Sequence, residues 1–119
     1  MTALQMVNKG LGLLGYSENN NNLDLTQRVM NRALPLVNIV YLDIRRICGL
    51  EPKEIETLSE EIEIPEKANS VMACGLASYI AGSENDDAAQ AFWSAEYQAR
   101  RTTLSQVTEH KDVLPKAYG

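Results

Sequence analysis

The chain predicts an all-α fold: a single domain of about four helices with a kinked long second helix, an extended acidic linker and a flexible C-terminal tail. Three observations carry this. Apolar residues recur at spacings of three and four along most of the 119 residues. Gly, Asn and Pro fall between these runs rather than at random. The one alternating segment, around Leu58, Ile62 and Ile64, has no second strand to pair with. At this length folding buries somewhere under ~70% of the unfolded surface, enough for one modest core without staples. The domain is expected over residues 1–110 and the tail over 111–119.

The first helix is expected from Thr2 to Leu14, with Leu4, Val7, Leu11 and Leu14 as its apolar stripe. Gly10 and Gly12 weaken it by about 1 kcal/mol each relative to Ala. Gly15 is placed to end it in the left-handed conformation. Residues 17–22 (SENNNN) read as a loop, because Asn bonds its own backbone in competition with helix. Asp24 is a candidate N-cap for the second helix. Its stripe is Leu25, Val29, Ala33, Leu36, Val37, Val40, Ile44 and Ile47, and it ends before Gly49. Pro35 removes one backbone bond from it, a cost of about 3 kcal/mol unless packing compensates. A kink near Met30 to Pro35, or two helices meeting there, is expected.

Residues 51–63 read as an acidic extended linker whose Ile residues tuck into the core. Pro65 suits the first turn of the third helix and Glu66 suits its positive dipole end. The inward positions are Ala68, Val71 or Met72, Gly75 or Leu76, and Tyr79 or Ile80, with Gly82 as the stop. Asn85, followed by Asp86 and Asp87, opens the fourth helix as its cap. Ala88, Phe92, Ala95 and Ala99 form one face of that helix. Trp93, Tyr97, Leu104 and Val107 form another, so the helix has two apolar faces.

Composition narrows the function classes. The net charge of −5 disfavours nonspecific nucleic-acid binding, which relies on Lys and Arg neutralising phosphates. No run reaches the ~18 apolar residues of a membrane span, and the N-terminus lacks a signal-peptide pattern, so a cytoplasmic protein is expected. Cys48 and Cys74, without CxxC spacing, read as buried thiols. His110 is the single histidine, flanked by charges, and nothing supplies further ligands for a metal. GLGLLG matches no phosphate-loop pattern, and no Ser or Thr sits in a nucleophile motif. No catalytic residue, cofactor site or metal site is expected.

Three groups read two ways. Glu60, Glu61, Glu63 and Glu66 form either a solvated acidic loop or a divalent-cation site, although the spacing of a calcium loop is missing. The doublets Arg45-Arg46 and Arg100-Arg101 belong to solvated helix faces, to a nucleic-acid site, or to pairing between subunits. Trp93 and Tyr97, four apart, share a helix face and serve as core or as interface anchors.

Taken in order, these elements resemble the small head-tail connector (adaptor, or neck) proteins of long-tailed bacteriophages and related prophages. The resemblance rests on the helix ending in LGLLGY, the polar loop after it, and the long helix ending YLDIRRICGL. It continues through the I-x-I-P entry at Ile62–Pro65, the alanine-rich ACGLASYIAG, and DDAAQAFWSAEYQARRTTL. It covers nearly the whole chain. It implies a structural, non-catalytic subunit of a homo-oligomeric ring, usually dodecameric, beneath the phage portal protein. Such a ring extends the DNA channel, through which DNA passes without specific binding, and offers a platform to a stopper or tail-completion protein. The location implied is the virion neck, assembled in the host cytoplasm.

On this reading Trp93, Tyr97, Arg100 and Arg101 are expected to bind partners, and the resemblance implies a tail that orders on the portal, with Val113, Leu114 and Tyr118 as its contacts. It assigns Glu60, Glu61 and Glu63 to an acidic loop facing a neighbour or the lumen. An anionic lumen would not hold a sliding duplex. A rival reading is a cytoplasmic helical binding or regulatory module, dimeric through the third and fourth helices.

Overall fold

Small residues decide which helix lies at the centre. In a computed structural model describing residues 1–16 and 23–118, with side chains for 1–16 and 25–106, four α-helices follow one another. They are α1 (Ala3–Leu14), α2 (Leu23–Ile47), α3 (Asn69–Ser83) and α4 (Asp87–Tyr118), with a short 3-10 turn, Glu66–Ala68, leading into α3. The sequence of α3, NSVMACGLASYIAGS, has no polar face, and the eight residues Val71–Ser78 are buried without interruption. A helix apolar all round is an interior helix. The other three pack around it.

Close approach follows from the glycines. A Cβ on Gly75 would lie 2.8 Å from both Val40 Cγ1 of α2 and Tyr97 Cε1 of α4. A Cβ on Gly10 would lie 3.2 Å from Leu76 Cβ. Gly10, which reads in isolation as a weakness of α1, is where that helix meets the backbone of α3. Gly75→Val is expected to lower the unfolding free energy by about 2–3 kcal/mol through overpacking, with no large helix-propensity gain to offset it. Urea denaturation measures this; an unchanged midpoint would mean that α2 and α4 can part freely.

Helix α1 begins with a full capping box. Thr2 Oγ1 accepts from Gln5 N at 3.2 Å, and Gln5 Oε1 accepts from Thr2 N at 2.8 Å. The next donors, Ala3 N and Leu4 N, reach Glu60 O and Leu58 O, both at 2.9 Å. The linker therefore satisfies amides that a helix start leaves open. Gly15 ends α1 at φ 77°, as its position implied. The stripe differs from expectation: Ala3, Met6, Val7, Gly10 and Leu11 are buried, Leu4 is exposed and Leu14 only half-buried.

Helix α2 is one continuous helix through Pro35 rather than two. Pro35 is exposed, and so is Asn31, whose carbonyl loses its amide partner to the missing N–H. Water can solvate that carbonyl, while Ala33 and Val37 on the other side remain in the core. The helix starts at Leu23, so Asp24 lies within it rather than before it. The loop at 17–22, the side chain of Asp24, His110 and the tail 111–119 lie outside the residues whose side chains are described.

The α3–α4 turn corrects the expected cap. Asn85 takes a left-handed φ of 58°, and Asp86 caps α4 by accepting from Ala89 N at 3.3 Å. Asp86 also accepts from Tyr16 OH at 2.8 Å, and Glu84 accepts from Arg28 and Arg32. Burial first, and then the Asp86 carboxylate, push the Tyr16 hydroxyl up to about 12. The folded state keeps this proton where the unfolded chain releases it, so stability is full below pH 10 and falls between pH 10 and about 12. Tyr16→Phe is expected to make that alkaline limb less steep, since Tyr97 and the thiols still contribute, followed by circular dichroism; a limb as steep as in the parent would refute the assignment.

Candidate interaction surfaces

The linker 51–63 is held by one stripe of α2. Asn38 pairs with the backbone of Ile55 in both directions, its amide donating to Ile55 O at 3.0 Å and its oxygen accepting from Ile55 N at 2.7 Å. Tyr41 OH accepts from Glu63 N at 3.1 Å. Arg45 donates to Glu51 O and Glu63 O, both at 2.6 Å, with its guanidinium 5.6 Å from the Tyr41 ring centre. Asn38, Tyr41 and Arg45 lie at i, i+3 and i+7, one helix face. Ile55 and Ile62 are buried, as expected of the linker, and a β-bridge joins Thr2 and Glu61.

With its backbone pinned, the linker turns its carboxylates outward, and several find partners within the chain. Glu63 pairs with Lys53, Glu61 with the Met1 ammonium, and Glu60 accepts from the amides of Glu56 and Thr57. Glu54 and Glu56 flank the buried Ile55, are exposed, and make no ion pair among the described residues. In the sequence Glu54 and Glu56 carry no signal beyond their alternation with Ile55.

A second cluster joins α2 to α4. Asp43 accepts from Tyr97 OH at 2.6 Å, from Arg101 at 2.6 and 2.8 Å, and from Arg46 at 2.8 Å. The Arg101 fork, against the opposing cost of burial, holds the Asp43 carboxyl well below the usual carboxylate range. Burial and the same carboxylate push the Tyr97 hydroxyl far up. These shifts have an architectural source, as ion-pair networks commonly do.

Of the sequence-named anchors, Tyr97 is core at 7% exposure, and Trp93 is half-buried against the core. The outward aromatic of α4 is its neighbour Phe92, 56% exposed, meeting Trp93 edge to face at 4.9 Å. The Arg doublets do not lie together on solvated faces. Arg45 is buried, Arg46 and Arg101 serve Asp43, and Arg100 bonds Glu96 on its own helix at 3.3 Å. Val113, Leu114 and Tyr118 lie outside the described side chains. Among the described residues, no group of three or more His, Cys, Asp or Glu side chains could hold a metal ion. None of the described helices is long and apolar enough to cross a membrane.

Among the described residues, two apolar surfaces stand out. On α2, Ile39, Leu42, Leu50 and Pro52 edge a hollow of 450 Å³ beside Asp43 and Arg46. Between α1, α3 and α4, hollows of 290 and 340 Å³ share Arg100; Ala73, Cys74 and Leu13 line one, Val71, Ala99 and Leu104 the other. Lys9 and Lys67 stand at these hollows, exposed and without an ion pair among the described residues. No family model matches the chain, and no curated protein or solved structure does either.

The cysteines are free, Cys74 buried and Cys48 half-buried, and burial pushes both thiols up. Since the thiolate is the reactive form, both are expected to alkylate more slowly in the folded chain than in urea, with Cys74 the slower. Timed labelling with mass detection tests this, and faster labelling of Cys74 than of Cys48 would contradict it.

Proposed function

We propose that this chain is a structural subunit of a head-tail connector ring in a tailed bacteriophage, binding the portal protein and presenting a platform to a stopper or tail-completion protein. The observation that carries the reading beyond the sequence resemblance is the division of labour among side chains. Arg45, Asp43, Tyr97 and Arg101 are committed to holding the helices and linker in place. The exposed surface instead offers separate apolar areas on α2 and between α1, α3 and α4. A subunit in a closed ring needs different surfaces towards its two neighbours, and more towards portal and tail. The net charge of −5, repeated around a ring, suits a channel through which DNA must slide without adhering.

The rival, a dimer through α3 and α4, is weakened by the enclosure of α3, which leaves little of that helix for a partner. The test is capture of the full chain by the purified portal of its cognate phage, followed by negative-stain imaging for rings. Portal binding with ring density is the expected result. A stable compact dimer in solution, or no portal capture, would overturn the proposal.

A further inference from the structure

Charge is unevenly placed on this chain. Residues 51–66 hold seven glutamates and one lysine, a net of −6 against −5 for the whole chain, so the linker and its exit carry the acidity and the remainder is close to neutral. The groove between α1, α3 and α4 has the opposite character. Lys9 and Lys67 stand at an apolar floor without an ion pair among the described residues, and Arg100, which lines both hollows, is engaged by Glu96 of its own helix. The linker and the groove share no residue. We propose that the groove receives the acidic linker of a second copy of this chain, in a head-to-tail contact centred on Glu54 and Glu56. The contact rests on the ring reading above and says which surfaces would close the ring.

The linker is suited to being received. Asn38 and Arg45 fix its backbone, so little chain entropy remains to be lost on docking. Ile55 is turned into the core, which leaves Glu54 and Glu56 facing out. Leu50 and Pro52, exposed just before them, bring apolar surface to the groove floor. Exposed ion pairs are individually weak, so the floor supplies affinity while the charges set register and exclude the like-charged face. Because the two surfaces differ, each subunit can engage one neighbour with its groove and another with its linker. That is the arrangement from which rings close.

Charge reversal tests this on the full chain. Lys9→Glu with Lys67→Glu gives an acidic groove, and Glu54→Lys with Glu56→Lys makes the contact stretch 53–56 of the linker basic. Each variant alone confronts like charges, but in an equimolar mixture every groove finds a complementary linker. Sedimentation velocity at low salt, up to about 1 mM protein, covers the weak-association range. The wild type is expected to exceed monomer mass as concentration rises, each variant to associate about tenfold more weakly, and the mixture to recover. Circular dichroism checks that each variant remains folded.

A wild type that stays monomeric throughout would overturn the proposal. So would variants that associate like the wild type, or a mixture no better than its components. Portal capture by the wild type is scored separately. Failure there refutes the connector reading, whereas portal capture with unaltered association of the variants refutes only this contact.

Discussion

Tyr41→Ala is expected to lower the unfolding free energy by about 3–5 kcal/mol, the range for truncating a large buried aromatic. Tyr41 is fully buried and heads the largest side chains of the core. Its ring lies beneath the Arg45 guanidinium, and its hydroxyl accepts from Glu63 N. Truncation would open a cavity between α2 and the linker, remove the acceptor of a linker amide, and deprive Arg45 of the surface that orients it. Losses at one site would therefore spread along residues 51–63. Tyr41→Phe separates the contributions: it keeps the ring and removes only the hydroxyl, at about 1 kcal/mol. Urea unfolding gives both values, and amide hydrogen exchange at Ile55 and Glu63 reports the linker. If Tyr41→Ala exchanged at these amides no faster than the parent, the linker would be held by something other than this stripe.

The helices were legible because their cores are periodic, and the linker clasp was not because it has no period. The stripe Val29, Ala33, Val37, Val40 and Ile44 appears in the sequence and is buried in the fold. Asn38 and Arg45 interrupt the apolar pattern, and with Tyr41 they bind backbone atoms of a segment that carries no signature for such partners. The Arg45-Arg46 doublet misled for a geometric reason. Successive helix residues point about 100° apart, so adjacent arginines need not share an environment. One lies under the linker and the other on the surface. In the same way Phe92 and Trp93 divide between solvent and core. The candidate surfaces were less legible still, since Lys9, Lys67 and Arg100 come from three parts of the chain and meet only once α1 and α4 have packed on α3.

Asp43→Ala is expected to cost about 2–4 kcal/mol, below the value for a fully buried pair because both partners retain some contact with water. Asp43 is 58 residues from Arg101 and 54 from Tyr97, so the cluster ties α2 to α4 over a long separation in sequence. Alanine leaves the buried Tyr97 hydroxyl and the Arg101 fork without their common acceptor, and an orphaned donor costs its full desolvation. Asp43→Asn keeps one oxygen and is expected to cost about half as much. The sign with pH follows from the depressed carboxyl. Its stabilisation is complete above the ordinary Asp range, near 3.8, and is lost as acid protonates it towards its lower folded-state value. Glu84, held down chiefly by Arg28, contributes to the same acid limb. The unfolding free energy measured from pH 7 down to pH 2 should therefore fall for the parent and fall less steeply, not flatten, for Asp43→Asn. Parallel acid limbs for the two proteins would show that Asp43 does not carry the charge that joins these helices.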